Sequence, residues 1–403
     1  MSCFRRHWPR LTCPCRKRCN LVFVKITKIE TLRLAHGVTV HAGPIQWLWV
    51  RIHTDSGLFG LGETYPHPAA EEAVVHDSLA PRLLGQDPSR IDALWASMFE
   101  AISYCGWAGA EMRAISAIDM ALWDLAGKVA NQPVYQLLGG ASRDRIRTYN
   151  TCYDHLSFLT EPVELAASLL ESGISAMKIW PMDPIAKESG GHSITAEQLR
   201  RGLEPLRLIK KEFGDRMDVA MEFHGFWNLP CAIRIARACE EYEPMWLEEM
   251  LPQDNLAAYR ELALATHLPL TISERLMTRW QYRELLENRA ARTVMPDISW
   301  VGGLSEARKI ANMAETWYLP TAPHNCGGPV LHAASLHLAA NLTNLQIVES
   351  VRRHYADEYT AIVGELARPR DGHFDLPGGP GLGIDLAPGV FDRSDLIRRE
   401  TVR

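Results

Sequence analysis

Between Arg145 and Ser350 the chain runs through eight short apolar segments, each separated from the next by a loop and an amphipathic helical stretch. The segments are IRTYNTC, AMKIW, DVAMEFH, MWLEE, LPLTISE, RTVMPDI, LPTAPHN and LQIVES, and the stretches between them include LSEARKIANMAETW and VLHAASLHLAANL. Strands that alternate with helices in this way must lie parallel and be joined by right-handed crossovers. Eight such units close into a (β/α)8 TIM-type barrel. We assign residues 145–355 to the barrel.

The flanks follow other rhythms. From Leu21 to Glu63, VFVKITKIETLRL and IQWLWVRIHT alternate with period two and turn at Asp55-Ser56-Gly57, which predicts antiparallel strands. Helical periodicity then takes over, from Ala70 to Leu84 and in AISAIDMALWDLAGKVA, Ala114 to Ala130. Residues 21–144 are thus expected to form an α+β capping domain. The Gly- and Pro-rich segment 356–403 is expected to return to that domain and complete it.

Residues 1–20 contain Arg5, Arg6, Arg10, Arg16, Lys17 and Arg18, no acid, and cysteines without the paired spacing of zinc motifs; they are expected to be a disordered or non-native extension. The remaining cysteines are scattered through apolar segments, as in a reducing compartment, so a cytoplasmic protein is expected. A net charge of −5 without a basic stripe argues against nucleic-acid binding, and no apolar run approaches membrane-spanning length.

The ends of the barrel strands carry the chemistry. In this architecture the C-terminal strand ends line one mouth. Here they present Lys178, Glu222 with His224, Glu248 with Glu249, Glu274, Asp297, His324 and Glu349. Glu222, Glu248 and Glu274 are evenly spaced along the chain, each closing one strand. Three carboxylates converging in one mouth repel one another unless a cation neutralises them, and all-oxygen ligation selects a hard ion, Mg2+ before Mn2+ or Ca2+. His224 shares a strand face with Glu222 and can exchange protons beside that ion or ligate it. Asp297 and His324 close adjacent strands, and an aspartate that fixes an imidazole tautomer makes a general base.

The motifs AISAIDMALWDLAGK and PVYQLLGG in the first domain, with EFHG, LEEMLPQDN, ISERL, MPDISWVGGLSEARKIA and APHNCGGPVLHAASLHL in the barrel, resemble the enolase superfamily. Within it they are most similar to the mandelate racemase subgroup and its galactonate-type acid-sugar dehydratases. The resemblance covers residues 24 to about 390. It implies one Mg2+ per subunit on Glu222, Glu248 and Glu274, His324 with Asp297 as base, His224 as acid, and Glu349 as hydrogen-bond partner of the enediolate. It further implies an acid-sugar substrate bound by Lys178 with Trp180, under walls formed by residues 36–43 (His36) and 65–68 (Tyr65, His67). Homo-oligomers are the family habit.

The chain departs from the subgroup's pattern in three places. Glu222 stands where Asp is usual. Lys178-Ile179-Trp180 lacks the second lysine of the racemases, which favours elimination over inversion. Pro181 to Thr195 adds a polar segment, read as a specificity loop or a surface insertion. A dehydratase is therefore expected, with an epimerase of a related hydroxy acid and a non-catalytic metal-binding homologue as the alternatives.

Overall fold

The computed structural model describes residues 24–40, 43–104 and 106–403, with side chains left aside for 38–45. The basic N-terminal extension, Cys105 and part of the 36–43 segment lie outside the described residues.

Two sheets make the body. In the first, β1 (Ile26–Leu34) pairs antiparallel with β4 (Leu48–Thr54), and β4 with β5 (Phe59–Thr64). A short hairpin of β2 (Val38–Val40) and β3 (Gly43–Ile45) lies between β1 and β4 in sequence. The helix Ala110–Ala130 packs on this sheet, and Asn131, in the left-handed conformation, ends it. Close approach needs glycine: a Cβ at Gly62 would lie 1.8 Å from the Ala117 carbonyl oxygen.

The second sheet is parallel. It contains β6 (Arg145–Thr151), β7 (Ala176–Ile179), β8 (Asp218–Glu222), β9 (Trp246–Glu248), β10 (Leu270–Ile272), β11 (Thr293–Val294) and β12 (Val348–Ser350), in the order β11-β10-β9-β8-β7-β6-β12. The segment LPTAPHN, expected as a full strand, instead makes single parallel bridges from Thr321 to Val294 on one side and to Leu345 on the other. Pro320 and Pro323 have no N–H to give, so no continuous ladder can form there, and Pro296 shortens β11 in the same way. The bridges nonetheless join the two ends of the sheet. After β12 come only a wide helical turn, His354–Glu358, and a short helix, Thr360–Val363, so the last unit of the barrel is reduced.

From there β13 (His373–Asp375) pairs with β6, and β14 (Leu396–Val402) pairs antiparallel with β1. The C-terminal segment thus completes the first sheet. No helix among the described residues is long and apolar enough to cross a membrane.

The barrel interior is filled by one layer of side chains: Tyr149, Ala176, Ala220, Trp246, Met295, Ala322 and Ile347. Three alanines leave room for the two largest side chains, and the Tyr149 and Trp246 rings meet edge to face at 5.3 Å.

Candidate active site

Side chains two apart on a strand point the same way. Two residues beyond each member of the filled layer stands a polar or ionisable group facing the mouth. Thr151 follows Tyr149, Lys178 follows Ala176, Glu222 follows Ala220, Glu248 follows Trp246, Asp297 follows Met295, His324 follows Ala322, and Glu349 follows Ile347. The floor also grips the layer above it, because Trp246 Nε1 donates to Glu248 Oε2 at 2.8 Å.

Of these groups Thr151, Lys178, Glu222 and His324 line a cavity of about 280 Å3, together with Trp180, His224 and Glu274 from the barrel and Gln46, Tyr65 and Pro66 from the first domain. Oxygens of Glu222, Glu248 and Glu274 approach within 4.8 Å of one another, and all three residues are buried. Glu222 Oε1 takes the backbone N–H groups of Phe223 and His224, while Oε2 accepts no hydrogen bond among the described residues and has only the Lys178 ammonium at 3.4 Å. A buried all-oxygen set with an unsatisfied oxygen fits a hard divalent cation. Lys178 Nζ reaches Glu248 at 2.5 Å, Glu349 at 2.9 Å and Glu222 at 3.4 Å. Burial works against its charge, but Glu248 and Glu349 outweigh it and hold the pKa well above the ordinary lysine value.

His324 Nδ1 lies 2.7 Å from Asp297 Oδ2, which also accepts from the Tyr65 hydroxyl at 3.0 Å. Asp297 Oδ1 is held by the Ser299 backbone N–H at 2.7 Å and the Ser299 hydroxyl at 2.5 Å. The aspartate is therefore fixed on both oxygens, and with Nδ1 occupied, Nε2 is the nitrogen left for proton transfer; it lies 3.1 Å from Glu274. Burial opposes protonation of His324, yet Glu274 and Glu349 raise its pKa well above the ordinary value.

On another side of the cavity His224 Nδ1 lies 2.8 Å from Asp183 Oδ2, and the ring meets Trp180 edge to face at 6.0 Å. Burial opposes its charge, but Glu222 and Asp183 raise its pKa to about 9. Glu349 accepts from Thr151, from the Asn325 N–H at 2.8 Å and from the Cys326 thiol at 3.2 Å. Burial favours its neutral form, but Lys178 and His324 pull its pKa below the carboxylate range. In this arrangement Glu349 is an acceptor, and to donate to an enediolate it must first gain a proton.

Of the substrate-binding candidates, Lys178, Trp180 and Tyr65 line the cavity. His36 and His67 are exposed and outside its lining. Tyr65 turns in and packs on Trp300, so His67, two residues on at the start of the helix Pro68–Ala73, faces out. Sequence reasoning passed over Thr151, Tyr153, Asp183 and Cys326. Thr151 and Cys326 carried a signal, Thr151 because it ends the first barrel strand and Cys326 because it lies two residues after His324; Asp183, in a polar insertion, carried none.

Residues 161–390 match the family described as enolase C-terminal domain-like, and residues 20–139 match the mandelate racemase / muconate lactonizing enzyme N-terminal domain. A D-galactonate dehydratase of Ralstonia nicotianae is 33% identical over 384 residues, covering 92% of this chain and 94% of that protein. An enolase of the mandelate racemase subgroup from Agrobacterium tumefaciens superposes with a TM-score of 0.86 at 45% identity, covering 94% of this chain and 99% of its own. An enolase protein from Sargasso Sea environmental sequencing superposes at 0.87 with 38% identity and the same coverage.

Proposed function

The chain belongs to the mandelate racemase / muconate lactonizing enzyme family of the enolase superfamily, and we propose that within it this protein is a Mg2+-dependent dehydratase of an acid sugar. The substrate is an aldonate or aldarate, and the product a 2-keto-3-deoxy acid. The observation that carries the reading is the pairing of two histidines with two aspartates, His324 with Asp297 and His224 with Asp183, around one cavity. The galactonate dehydratase of Ralstonia nicotianae supports the substrate class.

Elimination of water needs a base at the α-carbon and an acid at the β-hydroxyl. His324 must first be neutral; its Nε2 then accepts the α-proton while Asp297 stabilises the imidazolium through Nδ1. The C–H electron pair passes into the substrate as an enediolate, returns to expel the β-hydroxyl, and the oxygen leaves as water with a proton from His224. The resulting enol becomes the ketone. Lys178 supplies positive charge for the substrate carboxylate. Bound by Glu222, Glu248 and Glu274, Mg2+ supplies the Lewis acidity that makes the weakly acidic α-proton removable. Inversion, by contrast, needs a second base opposite His324, and the Lys178 ammonium is held by three carboxylates.

Proton NMR of the protein in D2O with Mg2+ and a panel of mono- and diacid sugars tests this reading. A 2-keto-3-deoxy product carrying deuterium, absent with EDTA, is expected. Exchange at the α-carbon with inversion and no loss of water would make the protein an epimerase; Mg2+ binding without turnover of any acid sugar would leave it a non-catalytic homologue.

A further inference from the structure

The segment Pro181–Thr195 is neither an open loop nor a loose insertion. Asp183 to Ser189 forms a short helix, and the segment is fastened to the loop that carries His224. The Asn228 N–H donates to the Gly191 carbonyl at 3.1 Å, and Asn228 Nδ2 to the His192 carbonyl at 3.1 Å. The approach is so close that a Cβ on Gly191, whose φ is +73°, would lie 1.8 Å from the Phe226 carbonyl oxygen. On the other flank, a Cβ on Gly202 would lie 2.3 Å from Met182 Sδ, so the helix Ala196–Phe213 leaves room for the residue that precedes Asp183.

This packing delivers one carboxylate to one ring nitrogen. Asp183 is 7% exposed; Oδ2 lies 2.8 Å from His224 Nδ1, and Oδ1 has no other partner. His224 has φ +49°, and its carbonyl oxygen accepts from Arg275 Nη1 at 3.0 Å, so its backbone is held as well. A carboxylate only accepts, so Nδ1 carries a hydrogen whether the ring is neutral or charged, and Nε2, which no side chain among the described residues holds, is where the second, transferable hydrogen of the imidazolium sits.

We propose that Asp183 is the positioning residue of the acid: it fixes the tautomer and direction of His224 so that Nε2 delivers the proton to the leaving hydroxyl, and the segment Pro181–Thr195 carries it there. The proposal rests on the dehydratase reading for its catalytic meaning. The geometric claim does not, which allows the two to fail separately.

The test uses full-length protein labelled with 15N-histidine, loaded with Mg2+, as wild type, Asp183→Asn and His224→Asn. The His224→Asn spectrum identifies the His224 signals. In wild type a slowly exchanging hydrogen is expected on Nδ1, held by Asp183. In Asp183→Asn, whose neutral amide either donates to Nδ1 or accepts from it more weakly than the carboxylate did, that signal is expected to vanish or to exchange markedly faster. A Nδ1 hydrogen that exchanges as slowly in the variant as in wild type overturns the proposal whether or not any sugar is turned over. If Asn is not tolerated, Asp183→Ser removes the carboxylate with a smaller side chain and must move the same signal.

With an acid-sugar substrate in D2O, Asp183→Asn is expected to keep α-carbon exchange while water loss falls roughly 10²-fold. A purely structural role would lower both together, and that result would equally overturn the proposal. If wild type turns over no acid sugar but the Nδ1 signal changes as described, the dehydratase reading fails and the Asp183–His224 assignment stands.

Discussion

The Lys178 ammonium sits 2.5 Å from Glu248 Oε1 and touches Glu222 and Glu349 as well, so the chain places its own cation among the oxygens that can hold a metal. Lys178 and a divalent ion therefore act on the same charges. Lys178→Met leaves those buried carboxylates uncompensated and is expected to lower stability in EDTA by ~3–5 kcal/mol. It is also expected to enlarge the stabilisation by Mg2+ relative to wild type. Denaturant unfolding with and without Mg2+ reads both; equal Mg2+ increments in the two proteins would show that ammonium and metal do not compete.

Metal affinity itself is read from unfolding. Mg2+ at a hundredfold excess over its dissociation constant is expected to stabilise wild type by about 2.7 kcal/mol. Glu274→Gln, which removes one charged oxygen donor, is expected to lose most of that increment. Full retention would take Glu274 out of the ligand set.

The two histidines separate by isotope. His324→Asn is expected to abolish α-carbon deuterium exchange and water loss together. His224→Asn is expected to keep the exchange and reduce elimination by roughly 10²–10⁴-fold. Loss of exchange in His224→Asn, with the fold intact by circular dichroism, would reverse the acid and base roles.

Acid sensitivity has a source away from the cavity. His332 and His337 lie buried on the helix Pro329–Asn341, and burial pushes both pKa values down to about 4. Between pH 6.5 and 4 the unfolded chain binds protons at these positions that the folded one does not, so stability falls as pH falls through that window, by up to ~3 kcal/mol for each. His337→Gln should flatten part of the slope in urea unfolding measured from pH 7 to 4. An unchanged slope would assign the sensitivity to other groups.

The barrel and most of its mouth were legible because an apolar run that ends on an ionisable residue is a local pattern, and parallel strands turn it into a common rim. Period-two alternation gave the antiparallel sheet, and the loss of the barrel's period after residue 355 gave the return of the C-terminal segment, though not β14 as a strand. Legibility failed where structure depends on what a residue lacks or meets at long range. Pro320 and Pro323 deny the seventh strand its ladder though its composition is strand-like. Tyr65 and His67 lie in one short motif, yet one faces the cavity and the other solvent. Asp183 is visible only once Gly191 and Gly202 have let its segment seat against His224.

The inert floor from Tyr149 to Ile347 and the reactive rim from Thr151 to Glu349 are the same strand faces, about 6.6 Å apart along the chain direction. A strand slipped by one residue would bring neither layer inside, since every side chain would trade faces. Closing the core and aligning Lys178, the His324–Asp297 base and the carboxylates Glu222, Glu248 and Glu349 are thus a single folding event, and a molecule that has found its hydrophobic register has already checked that part of its chemistry.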